Sequence, residues 1–549
     1  MKSLKQTSLP AAVLASVAAI VTVGVTGDAH AVHINPDGLG QLLFYPYYTV
    51  REGNVTAMSI INTTSLTKAV KVRFLEGKNG REVLDFNLFL SPTDVWTGVV
   101  LPTSDGARLE TGDNSCVTPS DLFGNASGVI RNDAAVRPIN AFSNSQYTGA
   151  NVDNPEQNAL DRGREGYIEV FEMGIVVDAT MAGFIKHAQA GSTSGQPANC
   201  GALDAYEGLS TAALPVVKLP GNYLASPGGG LTGRASIINS ATGANYTYDV
   251  TALDGWWAPL MPGPGNVPYS APGVTTPSIS LQAGIDTVSY AAITANPIAG
   301  VKPGLVRAVW ATPREAVSAV LMRNGVINEF LTDAGTVSKT DWVITMPTKR
   351  DSIVVGRGVP NRPFSNNFAN ETQTGACDSY TLNIFNREEG GLGVIGPGVI
   401  LPPIRPPAVP PPGQIMCWEV NVLEFASIGL LGSTNALQLE GAARAFAATG
   451  ATTTGVTGTL SRRTLQGPNG WAILGYGGIG ANQTQQSITP VSASLNGVTI
   501  VGGTGTHFGL PIIGAMFHNY TNTGVASSYG GVIPHKYTRN IDAINRGAP

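Results

Sequence analysis

Between residues 57 and 100 apolar and polar positions alternate in two successive runs. Val70, Val72 and Phe74 are separated by Lys71 and Arg73, and Leu84, Phe86, Leu88 and Leu90 by Asp85, Asn87 and Phe89. A period of two sends alternate side chains to opposite faces, so each run predicts a strand with one buried and one wetter face. Gly77-Lys78-Asn79-Gly80 supplies the turn residues of a hairpin between them. Ser91-Pro92 ends the second strand, because proline has no N–H to continue a ladder. Strands this short, joined by tight turns, predict a mainly β chain built as antiparallel, immunoglobulin-like β-sandwich domains with long loops and a few short helices.

The same pattern organises the rest of the chain. Leu42 to Val50 reads as a strand interrupted at Pro46 and therefore near an edge. Its aromatics Phe44, Tyr45, Tyr47 and Tyr48 read as sandwich core and rim, with an exposed stacking platform for sugars as the functional alternative. Alternation fades over 103–164, a long loop insertion, and returns from Gly166 to Val177. Ala57–Asn62 (AMSIIN) is echoed by Arg234–Asn239 (RASIIN) and more loosely by Thr381–Asn386 (TLNIFN), each followed by an alternating strand. Residues 313–333 predict a helix split near Gly325, and 435–448 another short helix. Proline marks a linker or crossover at 259–277 and an extended spacer at 396–413. The predicted organisation is thus a leader at 1–31, a β-sandwich domain at 32–258, the crossover, and a second β-rich domain at 278–549.

The leader differs from everything after it. Lys2 and Lys5 precede an apolar run from Leu9 to Val25, and Ala29-His30-Ala31 carries small residues where a signal peptidase cleaves. Cleavage between Ala31 and Val32 is expected, rather than retention as a membrane anchor, and no later apolar run has the length of a membrane helix. The C-terminal end lacks an aromatic strand, so an outer-membrane barrel is not expected. The net charge of −4 argues against a general nucleic-acid binder, which needs a basic footprint. Four cysteines in an exported chain suggest two disulfides, expected as Cys116–Cys200 and Cys377–Cys417; neither pair has the spacing of a zinc or redox site.

Candidate chemistry is sparse. Three Gly-x-Gly-x-x-Gly matches, starting at Gly228, Gly391 and Gly475, lack the strand-to-helix setting in which such a loop holds a pyrophosphate. His507, His518 and His535 match no zinc spacing. Asn151, Asp153, Glu156, Asn158 and Asp161 gather oxygen atoms, but the spacing is not that of an EF-hand, and Asx turns explain them without calcium. Glu169 with Glu172, or Glu388 with Glu389, are the carboxylate pairs a glycosidase reading would invoke; solvated strand and turn positions are the plainer account. No catalytic residue, metal ligand or cofactor is therefore assigned.

The segments GLGQLLFYPYYTV (38–50), INTTSLTKAVKVRFLEG (61–77), LDFNLFLSPTDVWTGVV (84–100), GGLTGRASIIN (229–239), DWVITMPTKR (341–350) and FGLPIIGAMF (508–517) together resemble a family of exported proteins of Gram-negative bacteria, described as hypothetical or cell-surface proteins. The resemblance implies export and transfers no catalytic motif. The resulting expectation is a non-enzymatic cell-surface or envelope protein with a structural or adhesive role. Its partners would be other envelope components or further copies of itself. A secreted carbohydrate-active hydrolase and a periplasmic ligand-binding module are the alternatives.

Overall fold

The computed structural model describes residues 31–123, 140–152, 158–189, 194–209, 220–257, 267–274, 279–280, 284–293, 304–353, 361–364, 376–387, 415–426, 429–438, 468–476, 486–500, 504–522, 524 and 527–542. Residues 1–30 of the expected leader, the calcium candidates Asp153 and Glu156, the Glu388–Glu389 pair and the 396–413 spacer lie outside them.

Two antiparallel sheets face each other in the first half. One runs, in spatial order, through His33–Ile34, Thr251–Asp254, Leu42–Thr49, Glu165–Val176, Lys68–Glu76, Glu82–Leu90 and Cys116–Thr118, with Leu224–Ala225 as an eighth strand on Glu165–Val176. The other runs Ala244–Asp249, Leu231–Asn239, Asn54–Asn62, Val95–Pro102 and Ala107–Glu110. Val70, Val72, Phe74, Phe86 and Leu88 from the first sheet pack on Met58, Ile60, Trp96 and Ile237 from the second. The Tyr45 hydroxyl crosses this core to the Ser59 carbonyl at 2.6 Å. The fold is the expected β-sandwich, and the Lys71/Arg73 alternation lies on the predicted hairpin, paired with Asn87 and Asp85.

Three local expectations need correction. Pro46 puts only part of its strand at an edge: Leu42–Phe44 lies between Thr251–Asp254 and Glu165–Val176, whereas beyond Phe44 the strand pairs, among the described strands, with Glu165–Val176 alone. A register shift between Tyr45 and Tyr48 absorbs the missing donor, as a bulge does. The 103–164 insertion is partly sheet, since Ala107–Glu110 and Cys116–Thr118 each close one edge. The first two sequence echoes are direct antiparallel neighbours, with Ser59 opposite Arg234, but the strands after them differ in role. Lys68–Glu76 crosses to the other sheet, whereas Ala244–Asp249 forms a hairpin within its own.

In the second half a five-stranded sheet (Ala436–Gln438, Val420–Glu424, Lys339–Thr345, Ala515–Asn522, Ser527–Pro534) packs on a four-stranded one. The latter runs Thr381–Asn386, Asn469–Gly475, Gly325–Leu331 and Lys536–Thr538. Phe330, Trp342, Leu382, Phe425 and Leu474 fill the space between. The helix Pro313–Leu321 is as expected, but its predicted continuation beyond Gly325 is the strand Gly325–Leu331, with Val326, Asn328 and Phe330 turned inward. Residues 436–438, expected in a helix, form a short parallel strand. Thr312 caps the helix, accepting from the Glu315 N–H while the Glu315 carboxylate accepts from the Thr312 N–H. Thr312→Ala is expected to cost about 1 kcal/mol, read as a lower urea midpoint.

The halves share their interior. Val343, Val420, Val422, Ala515 and Phe517 belong to the first sandwich core. The Phe517 ring meets Tyr47, Tyr246 and Tyr248 edge-on at 6.5, 6.1 and 5.9 Å. Val32, the residue after the expected cleavage point, is buried, and its N–H bonds the Val288 carbonyl at 2.8 Å. Cys116 pairs with Cys200 and Cys377 with Cys417. The first disulfide fastens the helix Gly201–Tyr206 to the sheet edge, where the Asp204 carboxylate accepts from the Ser120 hydroxyl at 2.6 Å. Among the described residues, no helix is long and apolar enough to cross a membrane.

Candidate functional site

Among the described residues, a dense concentration of ionisable groups lies on the face of the eight-stranded sheet turned away from the sandwich core. Asp85, Arg73 and Glu169 stand directly opposite one another on three adjacent strands, and Asn87, Lys71 and Phe171 form the next row. Alternation marks this face as the wetter one, yet Lys71, Arg73 and Glu169 are fully buried. The cover comes from two places. Residues 267–274, the described part of the proline-rich crossover, lie across the charges: the Ala271 carbonyl accepts from Lys71 at 2.8 Å, the Val274 carbonyl accepts from Arg73 at 3.3 Å, and the Gly273 N–H donates to Asp85 at 2.9 Å. The short helix Lys349–Ser352 of the second half then brings Arg350 to within 3.0 Å of Glu169.

Burial sets the protonation of this layer. The Glu82 carboxyl is pushed up to about 7 by burial and then by Asp85, although Arg73 pulls it down. Burial likewise lifts Glu419 to about 8 against the opposing pull of Arg350, and lowers Lys349 to about 8. Such values attend catalytic groups, but they equally attend buried structural networks. These side chains are enclosed and hold one another, so the layer acts as a joint between the two halves.

A second joint forms at the hairpin. The Glu76 carboxylate accepts from the N–H groups of Lys78, Asn79 and Arg81 at 2.7, 3.0 and 2.8 Å, fixing the turn. The turn then presents the Gly77 and Lys78 carbonyls to the N–H groups of Val420 and Glu419, both at 2.8 Å.

The residues singled out in the sequence do not converge. Glu169 is paired with Arg350, and Glu172 with Lys68 at 2.6 Å, so neither is a free acid. The first glycine-rich loop does hold an anion, but an internal one: the Gly228 and Gly229 N–H groups donate to the Glu172 carboxylate at 3.0 and 2.8 Å. His507 packs on Trp310, and His535 bridges Asn328 and the Val343 carbonyl; burial pushes both imidazoles down to about 3. His518 is on the strand Ala515–Asn522 beside Tyr520. Asp161 pairs with Arg51 and Arg164, and the Asn158 carbonyl accepts from Asn144. Phe44, Tyr45, Tyr47 and Tyr48 are core and expose no platform.

One constellation escaped the sequence reading. Ser91, Asp94 and His187 meet, with the Ser91 hydroxyl 3.2 Å from His187 Nδ1 and Asp94 Oδ2 3.6 Å from the same nitrogen. A nucleophile–base–acid relay needs the acid and the hydroxyl on different ring nitrogens. Here both lie at Nδ1, and Asp94 also accepts from the Ser91 N–H at 3.0 Å, so the group closes a turn.

The other notable surface is the outer face of the five-stranded sheet of the first half. Its rows are Asp249, Arg234, Ser59, Thr97 and then Thr247, Ser236, Ala57, Val99, Glu110, each residue opposite the next. These outward positions are exposed or half-buried, while those between them face the core. Small side chains at the centre leave a shallow groove of about 390 Å³, lined by Ala57, Ser59, Thr97, Thr111, Arg234 and Ser236. Comparison of the chain with protein-family models, curated proteins and solved structures finds no match in any of the three.

Proposed function

We propose that this protein is exported and acts without catalysis at the cell surface or in the envelope, as a rigid β scaffold with a structural or adhesive role. The observation that carries this reading is the hydroxyl-rich outer face of the five-stranded sheet, whose outward positions are exposed or half-buried, mounted on a body whose halves are joined through buried charges. An open sheet face with short side chains suits broad, shallow contact, whereas a small-molecule enzyme gathers polar groups in a concave pocket. Two disulfides are compatible with an oxidising compartment. Partners on this reading are other envelope components or further copies of the chain. Protease treatment of intact Gram-negative cells expressing the protein tests its placement. Degradation without lysis is expected; protection until the outer membrane is opened would overturn the surface placement in favour of the periplasm.

A further inference from the structure

The four-stranded sheet of the second half carries a surface of different chemistry on its outer side. Phe385, Trp471 and Glu329 stand directly opposite one another across the strands Thr381–Asn386, Asn469–Gly475 and Gly325–Leu331. Their neighbours Ile384, Ala472 and Phe330 point into the core, so this row points out. The Phe385 and Trp471 rings are stacked, 4.3 Å apart with an 18° tilt, and Trp471 remains 36% exposed. With one face of the indole occupied by Phe385, its other flank is the side of the sheet that carries the exposed carboxylate of Glu329. The next row on the same face contains Asn383 at one end and the exposed Lys536 at the other, with the buried Ile473 and the half-buried Ile327 between.

We infer that this row is a binding platform for a pyranose saccharide, the sugar ring lying along the Glu329 flank of Trp471 and its hydroxyls reaching Glu329 and Lys536. A pyranose has an apolar C–H face and a rim of hydroxyls, and the platform offers the complement of each: an aromatic surface bordered by a carboxylate and an ammonium group. The apolar part amounts to two rings and a half-buried isoleucine. That is far below the roughly 1,200 Å² a stable protein interface buries, and is on the scale of one sugar ring. A nucleic-acid strand would also stack on Trp471, but it would set its phosphates beside Glu329, with Lys536 as the sole cation on the two rows. The inference rests on the adhesive reading and names what is adhered to.

The plain alternative is that the stack only stabilises the sheet, as cross-strand aromatic pairs do. Titration of the full-length protein with cellohexaose, chitohexaose and maltohexaose, followed by tryptophan fluorescence and calorimetry, separates the two. At least one hexaose should bind, and Trp471→Ala should weaken it by about tenfold, the share that a single ring contact can carry. Lys536→Ala should weaken binding while leaving the urea midpoint unchanged, which a purely structural stack would not produce. Absence of binding by all three at about 10 mM, some tenfold beyond a millimolar Kd, overturns the platform. So does an unchanged affinity in folded Trp471→Ala. Either result would leave the surface placement untouched, since protease access reports that independently.

Discussion

Glu165→Ala should lower the stability of the protein by roughly 3–5 kcal/mol, the usual consequence of removing one partner from a buried charged network. Glu165 opens the long central strand Glu165–Val176 and is buried. Its Oε1 accepts from Arg51 Nε at 3.0 Å, from the Thr434 N–H at 2.8 Å and from the Thr434 hydroxyl at 2.6 Å. Its Oε2 accepts from the Tyr47 hydroxyl at 3.0 Å and from Ser433 Oγ at 2.5 Å. Burial alone would raise this carboxyl, but Arg51 and the donors of Ser433 and Thr434 more than offset it, and it lies below the ordinary glutamate range. A depressed carboxyl contributes stability above its unfolded pKa and loses it as pH falls through the folded one. The substitution should therefore be most damaging near neutral pH and least in acid. Glu110→Ala on the open sheet face, where Glu110 and Arg108 are about 40% exposed, is the control and should change the urea midpoint little. Equal midpoints for the two variants would show that Glu165 does not hold residues 433–434 to the first half.

How much of this was legible in the sequence depends on what alternation can and cannot report. The strands Lys68–Glu76 and Glu82–Leu90, with the turn between them, follow from period two and glycine placement alone. Alternation also separates Lys71, Arg73, Asp85 and Asn87 from the core side, but it cannot say what lies over the second face. Here that is a proline-rich strap and a helix from the other half, so residues expected in water are enclosed. The strand Gly325–Leu331 was hidden by its inward Asn328, whose amide donates to the Ile533 carbonyl and contacts His535 Nδ1, so a polar letter stands at a core position. Pro46 told only part of the story: one flanking ladder does end just before it, at Phe44, but the strand's first residues lie inside the sheet and a bulge takes up the irregularity on the other side. Phe385, Trp471 and Glu329 are far apart in sequence, and only strand register makes them one row.

The wild-type protein should lose stability as pH rises from about 4 to about 8, and Asp341→Asn should make that loss shallower by about 1.4 kcal/mol per pH unit, one proton's worth. Asp341 and Glu424 are buried and directly opposite each other on the strands Lys339–Thr345 and Val420–Glu424. Like charges at such positions repel, and without water between them the arrangement holds only if a proton is retained. Burial first, and then Glu424, push the Asp341 carboxyl up to about 8, although the Leu430 and Leu431 N–H groups donate to it at 2.7 and 2.8 Å. The unfolded chain releases this proton near pH 4, so the contribution is complete below that value and lost as pH rises through the folded one. Raised carboxyls at Glu82, Glu207 and Glu419 impose a trend of the same sign, while the depressed His507, His535 and Glu165 impose the opposite one on the acid side, so the difference between the two proteins is the quantity to read. An asparagine keeps the oxygen that accepts from Leu430 and Leu431 and carries no proton to lose; above about pH 8 the variant should be the more stable protein. Urea midpoints measured across this range decide it, and parallel curves would mean that the Asp341–Glu424 pair retains no extra proton in the folded protein. The position gives the effect its reach: Val343 and Val422, two residues along the same strands, pack into the first sandwich core, so ionisation here acts on the seam between the halves.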